Sequence, residues 1–307
     1  MSRKELMTPL GKAWTWWVFV DYICLPQYHR TKQEQHFFKR AMRAMHVLYS
    51  HKAVRYVVRL EELTQQMEGV PPPASIDIYY EESTEPGKGK FGPQPFSKLD
   101  FNNTPYHCRG WCVAECQWMS SKTVAARGIA PMTPERFRQR VELARQNMPG
   151  GLPLVFTHRA DEEAVLHLQE EVFLKQARRH QQLVVRELPL QEQLFLAEAL
   201  PHFTEVTLVV FVGCVIEEEA AVALAAALAY LKNLKMLGIL HSVLSDSAAE
   251  ALARGLRQRN SEKLTVFFQT WDYPQIQCQQ TEPDERAKWF EAVEGIEVSV
   301  ICWNHDF

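Results

Sequence analysis

The sequence predicts an α/β protein, and three observations carry that prediction. Short apolar runs of strand character, Trp14 to Val20 and Val206 to Val212 among them, lead into a polar loop or a helical pattern. In the second half this order repeats: Ala220 matches Ala248, Leu224 matches Leu252 and Leu228 matches Leu256, each 28 residues on. At 307 residues, 46% hydrophobic and 23% charged, the chain can bury a proper core and suffices for about two domains.

Composition narrows the partners. A formal net charge of -3 gives no reason to expect nucleic acid or a membrane as partner; the basic run Arg136 to Arg145 stays open as a local contact, although such runs are more often a solvated helix face. Seven cysteines, an odd number in a chain without a secretory leader, predict reduced thiols in a cytoplasmic protein. The run Trp14 to Val20 is broken by Asp21 and falls far short of the ~20 apolar residues of a membrane span, so a soluble chain is expected.

Taken in order, Trp17 to Gln27 predicts a buried strand running into a polar loop. After Tyr28-His29-Arg30-Thr31, residues Phe37, Phe38, Ala41, Met42, Met45, Leu48 and Tyr49 recur at helical spacing and predict a core stripe. Val54 to Leu60 and, more weakly, Ile76 to Tyr80 have strand character. Pro71-Pro72-Pro73 and the stretch from Glu81 to Pro95 predict an exposed loop or insertion. A helix follows Arg109, with Trp111, Ala114, Cys116 or Trp118, and Met119 on one apolar face. Thr133-Pro134 caps a basic amphipathic helix to about Met148, and Gly150-Gly151 ends it. Leu154 to Phe156 is a short strand, and Asp161 to Arg179 a helix carrying Val165, Leu168, Val172, Phe173 and Gln176.

From about residue 180 each copy reads strand, turn, then alanine-rich helix. Val206 to Val212 precedes Glu218 to Tyr230, and Leu234 to Leu240 precedes Ser247 to Arg257, with Val206 matching Leu234. Leu196, Ala199 and Leu200 form half of an earlier copy. These units resemble leucine-rich repeats of the ribonuclease-inhibitor type, with Gly213-Cys214 and His241-Ser242 standing at the usual asparagine turn. A different small α/β sheet stays open beside that resemblance. Leu264 to Phe268, a helix near Asp284 to Val293 and a strand Ile296 to Cys302 read as a terminal cap.

The segment Arg109-Gly110-Trp111-Cys112-Val113-Ala114-Glu115 places an acid four residues after a tryptophan at the start of a helix, where a carboxylate can meet a cationic or sugar-like ligand. Upstream stand Val20-Asp21-Tyr22-Ile23-Cys24-Leu25-Pro26-Gln27, then Met45, Leu48, Tyr49 and Ala53. Together these blocks resemble the heterokaryon-incompatibility domain, a relative of Toll/interleukin-1 receptor (TIR) domains. Trp111 to Glu115 is also similar to the tryptophan-cysteine-glutamate helix of plant TIR domains. The resemblance implies a TIR-like, flavodoxin-like parallel sheet. It also implies hydrolysis of the nicotinamide-ribose bond of NAD with Glu115 as the acid, and Asp21, Arg109 and Trp111 around the ligand. Loss of nicotinamide leaves an oxocarbenium-like ribose that an ionised carboxylate can stabilise. Both families carry a further strand and helix upstream, where about 13 residues stand here, so the unit is incomplete or its sheet is assembled differently.

Structural readings stand beside the chemical ones. Glu115 can pair with Arg109 or Lys122 on a helix surface, Asp21 can cap its own turn, and Trp111 can serve packing. His107, Cys108, Cys112 and Cys116 recur on one helix, which does not surround a tetrahedral ion, so no metal is expected and the cysteines read as small buried groups. His29 and Cys24 lack a third group to orient them.

The expected organisation is a TIR- or heterokaryon-incompatibility-like domain over 1–130 with a Pro/Gly-rich insertion at about 61–105, a helical connector over 131–180, and a leucine-rich-repeat-like unit over 181–307. The expected role is signalling or defence, with a protein partner on the repeats and self-association as a further expectation. NAD enters as a substrate and no cofactor is expected. The alternative is a non-catalytic interaction scaffold.

Overall fold

The computed structural model describes residues 2–7, 13–18, 31–51, 54, 71, 73–81, 90–98, 104–146, 152–156, 159–257, 263–269, 288–293 and 295–301. Most of the expected strand Val54 to Leu60, the glycine pair Gly150-Gly151 and the first part of the helix near Asp284 lie outside these residues.

The N-terminal strands form hairpins. β1 (Ser2–Met7) pairs antiparallel with β2 (Ala13–Val18), and β3 (Ser75–Glu81) pairs antiparallel with β4 (Lys90–Pro95). Links this short exclude a parallel crossover, which takes a dozen residues or more. The parallel arrangement expected within 1–130 is therefore not what the described strands there adopt. β4 also falls inside the stretch expected to be loop. Pro93 and Pro95 suit an edge strand, since neither offers a backbone N–H to a further neighbour.

Among the described residues, four α-helices follow the first hairpin before the parallel sheet begins. α1 (Lys32–Ser50) opens on a capping box: the Thr31 hydroxyl accepts from the Glu34 N–H at 3.2 Å while the Glu34 carboxylate accepts from the Thr31 N–H at 2.8 Å. It buries Met45 and Tyr49, and Phe37 at the other end of the expected stripe stays exposed. α2 (Gly110–Ser120) packs against α1 and against α4 (Arg159–Ala177). Gly110 starts α2 because a Cβ there would stand 2.2 Å from the Phe156 ring. α3 (Pro134–Arg145) has the expected cap, with Thr133 Oγ1 accepting from the Arg136 N–H at 3.2 Å and Pro134 at its first turn. Leu154 to Phe156, expected as a strand, makes a single parallel bridge between Val155 and Arg109.

The second half is a five-stranded parallel sheet in the order β11-β10-β8-β6-β5, so every strand lies beside its sequence neighbour in that sheet. Its members are β5 (Gln182–Arg186), β6 (Leu208–Val212), β8 (Met236–Leu240), β10 (Leu264–Gln269) and β11 (Ile296–Ile301). Helices α5 (Leu190–Ala199), α6 (Glu218–Ala229) and α7 (Asp246–Leu256) run side by side. Alternate strand residues, Leu183, Val185, Val209, Phe211, Leu237, Ile239, Val266 and Phe268, share one core with them. Ala220 and Ala248, matched in the sequence, are both fully buried, and Gly255 lets α7 approach Ala225 of α6.

The turns after the strands repeat as well. β7 (Val215–Ile216) and β9 (Val243–Leu244) form a small parallel pair. The Ser242 hydroxyl accepts from the Cys214 N–H at 3.0 Å and donates to the Leu240 carbonyl at 2.9 Å, which stitches one unit to the next. Glu187, Gly213 and His241, each just past a strand end, all have positive φ (51°, 64° and 51°). At the other edge Val124 bridges to Val184, with the Ala125 N–H donating to the Val184 carbonyl at 2.9 Å, so the chain after α2 seals the β5 side. No helix among the described residues is long and apolar enough to cross a membrane.

Candidate functional site

Three of the four residues singled out in the sequence gather at the start of α2. Arg109 is its N-cap residue, and its Nε donates to the Thr104 carbonyl at 2.7 Å. Trp111 is half-buried, donates from Nε1 to Asp161 Oδ2 at 3.1 Å and stands edge-on to Trp118 at 6.4 Å. Its indole thus ties α2 to α4, which is the packing role weighed in the sequence. Glu115 is half-buried one turn further on. Burial pushes the Cys112 thiol up, and the neighbouring Glu115 charge adds to that. Burial also raises the Tyr106 hydroxyl, with the neighbouring Cys116, Cys112 and Glu115 acting in the same sense. Asp21, the fourth residue, lies outside the described residues, as do Cys24 and His29.

Cys108, Cys112 and Cys116 form no disulfide, and no group of three metal-ligating side chains occurs among the described residues. Lys122, the other cation weighed as a partner for Glu115, donates from Nζ to the Val54 carbonyl at 2.8 Å.

Beside this helix lies a cleft of about 420 Å³. It is bounded by the segment before α2, by α2 itself, by the Gly128-Ile129 loop, by α3 and by the entry to α5. Two charged groups face it, Arg140 and Glu192. Arg140 is 5% exposed, donating from Nε to the Leu152 carbonyl at 2.5 Å and from Nη2 to the His107 carbonyl at 2.9 Å. Burial brings its guanidinium down to about 10, with the Glu192 charge working in the opposite sense. Glu192 accepts the Ala130 N–H at Oε2, 2.8 Å, and burial raises its carboxyl while that bond and Arg140 lower it.

The wall between them is held by Gln117, 3% exposed, whose Nε2 donates to the Ala130 carbonyl at 3.1 Å and whose Oε1 accepts from the Met132 N–H at 2.7 Å. Gln169 grips the same segment through the Met132 carbonyl at 3.3 Å.

None of Gln117, Arg140 and Glu192 was singled out in the sequence as a site residue. Arg140 did carry a signal, since it falls between Phe137 and Val141 on the apolar stripe of a helix otherwise read as solvated. A cation placed there enters the core and needs partners. Chemically the cleft offers a positive group, a carboxyl with one anchored oxygen, and apolar walls.

Comparison with protein-family models, with curated proteins and with solved structures gave no match.

Proposed function

We propose that the protein acts by association, in signalling or defence, holding a protein partner on the open face of its parallel sheet. The observation that carries this reading is the composition of that face. Leu208, Val212, Met236, Leu240 and Phe267 alternate with the core residues of their strands and so project away from α5, α6 and α7; Met236 is exposed and the other four half-buried, while Val210 at the centre of the same face is buried. An apolar surface built by neighbouring strands is what a stacked-repeat protein offers a partner. The resemblance to leucine-rich repeats supports the same reading through one strand and one helix per unit, although Cys214 and Ser242 stand where that family has asparagine. The N-terminal part, with its TIR- and heterokaryon-incompatibility-like residues, is then the responding module.

The test uses the full chain and a variant carrying Val212→Asp and Leu240→Asp. Light scattering over a wide concentration range follows self-association, and crosslinking with mass identification follows other partners. The wild type is expected to associate and the variant to lose that association while keeping its circular dichroism. A wild type that stays monomeric and captures nothing the variant fails to capture overturns the proposal.

A second reading is NAD cleavage with Glu115 as the acid. It rests on Glu115 lying half-buried one turn after Trp111, close enough to act electrostatically on Tyr106 and Cys112. In that reaction the bond from ribose C1′ to the nicotinamide nitrogen breaks and its electron pair leaves with nicotinamide. Water adds to C1′ and loses a proton, and the Glu115 carboxylate stabilises the ribosyl cation between the two steps. Nicotinamide release is measured for wild type and Glu115→Gln; no turnover, or equal turnover in both, removes this reading.

A further inference from the structure

We propose that the cleft between α2, α3 and the entry to α5 is a binding site for a small organic monocarboxylate with an apolar body and a hydrogen-bond donor at its far end. The argument starts from Arg140. Its two hydrogen bonds to described residues, to the Leu152 and His107 carbonyls, use Nε and Nη2 and leave Nη1 without one. Both acceptors are neutral, so the buried cation has no carboxylate in contact with it among the described residues. An enclosed guanidinium of this kind is costly, and its free N–H groups match a carboxylate in a paired geometry.

The opposite wall sets the other end of the ligand. Glu192 is fixed by the Ala130 N–H at Oε2 and lines the same cleft, so its second oxygen is the acceptor left for a ligand's donor. A dianion such as phosphate meets repulsion from Glu192, whereas a single negative head on Arg140 and a donor on Glu192 satisfy both walls. Between them Val113, Ile129, Leu152 and Pro189 provide an apolar lining. A cavity of about 420 Å³ is the size that encloses a small organic molecule. The site is independent of the sheet face proposed above and of Glu115, which does not line it.

The probe is 4-hydroxybenzoate, with benzoate, phenol and inorganic phosphate as comparisons, titrated calorimetrically into the full chain. 4-Hydroxybenzoate is expected to bind at millimolar concentration or below. Phenol, which lacks the carboxylate, and benzoate, which lacks the donor, should each bind about tenfold more weakly. Glu192→Gln turns a donor into the cleft and should bring 4-hydroxybenzoate down to the affinity of benzoate. Arg140→Lys keeps the positive charge but not the paired geometry and should weaken both carboxylates. Because Arg140 also holds two carbonyls, each variant is first checked for wild-type circular dichroism, and Glu192→Gln decides the outcome if Arg140→Lys does not fold. No heat with 4-hydroxybenzoate, equal affinity in Glu192→Gln, or phosphate binding as tightly as the carboxylates overturns the proposal.

Discussion

Replacing Gln117 by leucine tests how the cleft is built. The side chain is 3% exposed and makes two hydrogen bonds, to the Ala130 carbonyl at 3.1 Å and from the Met132 N–H at 2.7 Å. Leucine fills a similar volume, so the change leaves two buried backbone groups without those partners and opens little cavity. Each orphaned group costs about 1–3 kcal/mol, and two give ~2–6 kcal/mol. The added apolar burial returns ~1–2 kcal/mol, so mid-range values give an expected net loss of about 2.5 kcal/mol. That is a large part of the ~5–15 kcal/mol that typically holds a domain together.

Urea unfolding followed by tryptophan fluorescence reads this loss as a lower midpoint with an unchanged slope. A companion variant, Gln117→Glu, keeps the acceptor for Met132 and turns a second acceptor toward the Ala130 carbonyl. It should approach wild-type stability when protonated and lose stability as pH rises past the ordinary carboxyl value of about 4.3. A leucine variant within about 0.5 kcal/mol of wild type, or a glutamate variant whose deficit is the same at acid and neutral pH, refutes the claim that this amide holds the cleft wall.

Three further outcomes follow from the same geometry. Ser242→Ala removes the acceptor of the Cys214 N–H and should cost ~1–2 kcal/mol in urea unfolding; an unchanged midpoint would mean water replaces the hydroxyl. Gly255→Ala gains ~1 kcal/mol of helix propensity but sets a Cβ 2.4 Å from Ala225 Cβ, so a net loss of ~1–2 kcal/mol is expected, and adding Ala225→Gly should recover most of it; a single variant more stable than wild type would sink the argument. For pH, the signs oppose. His180, held below its ordinary value of 6.5 by burial, contributes stability that is present above pH 6.5 and lost as pH falls through its lowered folded value. Glu192, raised by burial above 4.5, has the reverse sign, its contribution being lost as pH rises from 4.5 through the raised folded value. Glu192→Gln should therefore gain on wild type between acid and neutral pH, as thermal melts across that range would show.

The repeat was legible because stacking demands small, apolar residues at fixed positions. Ala220 and Ala248 or Leu224 and Leu252 sit in equivalent, fully packed places, so their 28-residue spacing survives in the sequence. The strand of the first unit was not recognised, for a geometric reason. β5 pairs Gln182 with Leu208, 26 residues on, while Leu196 of α5 corresponds to Leu224 of α6, 28 residues on. The link between strand and helix is two residues shorter in that first unit, which moves its two halves out of one register. β4 was hidden by its own composition, Lys-Phe-Gly-Pro-Gln-Pro, which local propensity assigns to loop and only pairing with β3 makes a strand.

The site was harder to read than the fold. Trp111 and Glu115 stand out by residue type, but what Trp111 touches depends on Asp161, fifty positions away. Arg140 and Glu192 come together only because α3 and the entry to α5 line one cleft, and no spacing in the chain records that.

A sheet whose strand order follows chain order takes a further unit without a crossover. Each unit here leans on the one before and the one after, so an in-frame duplication of one strand-helix segment would slot between neighbours without rethreading any connection. The length of this body is thus set by copy number, while the Val124 bridge to Val184 closes its β5 edge.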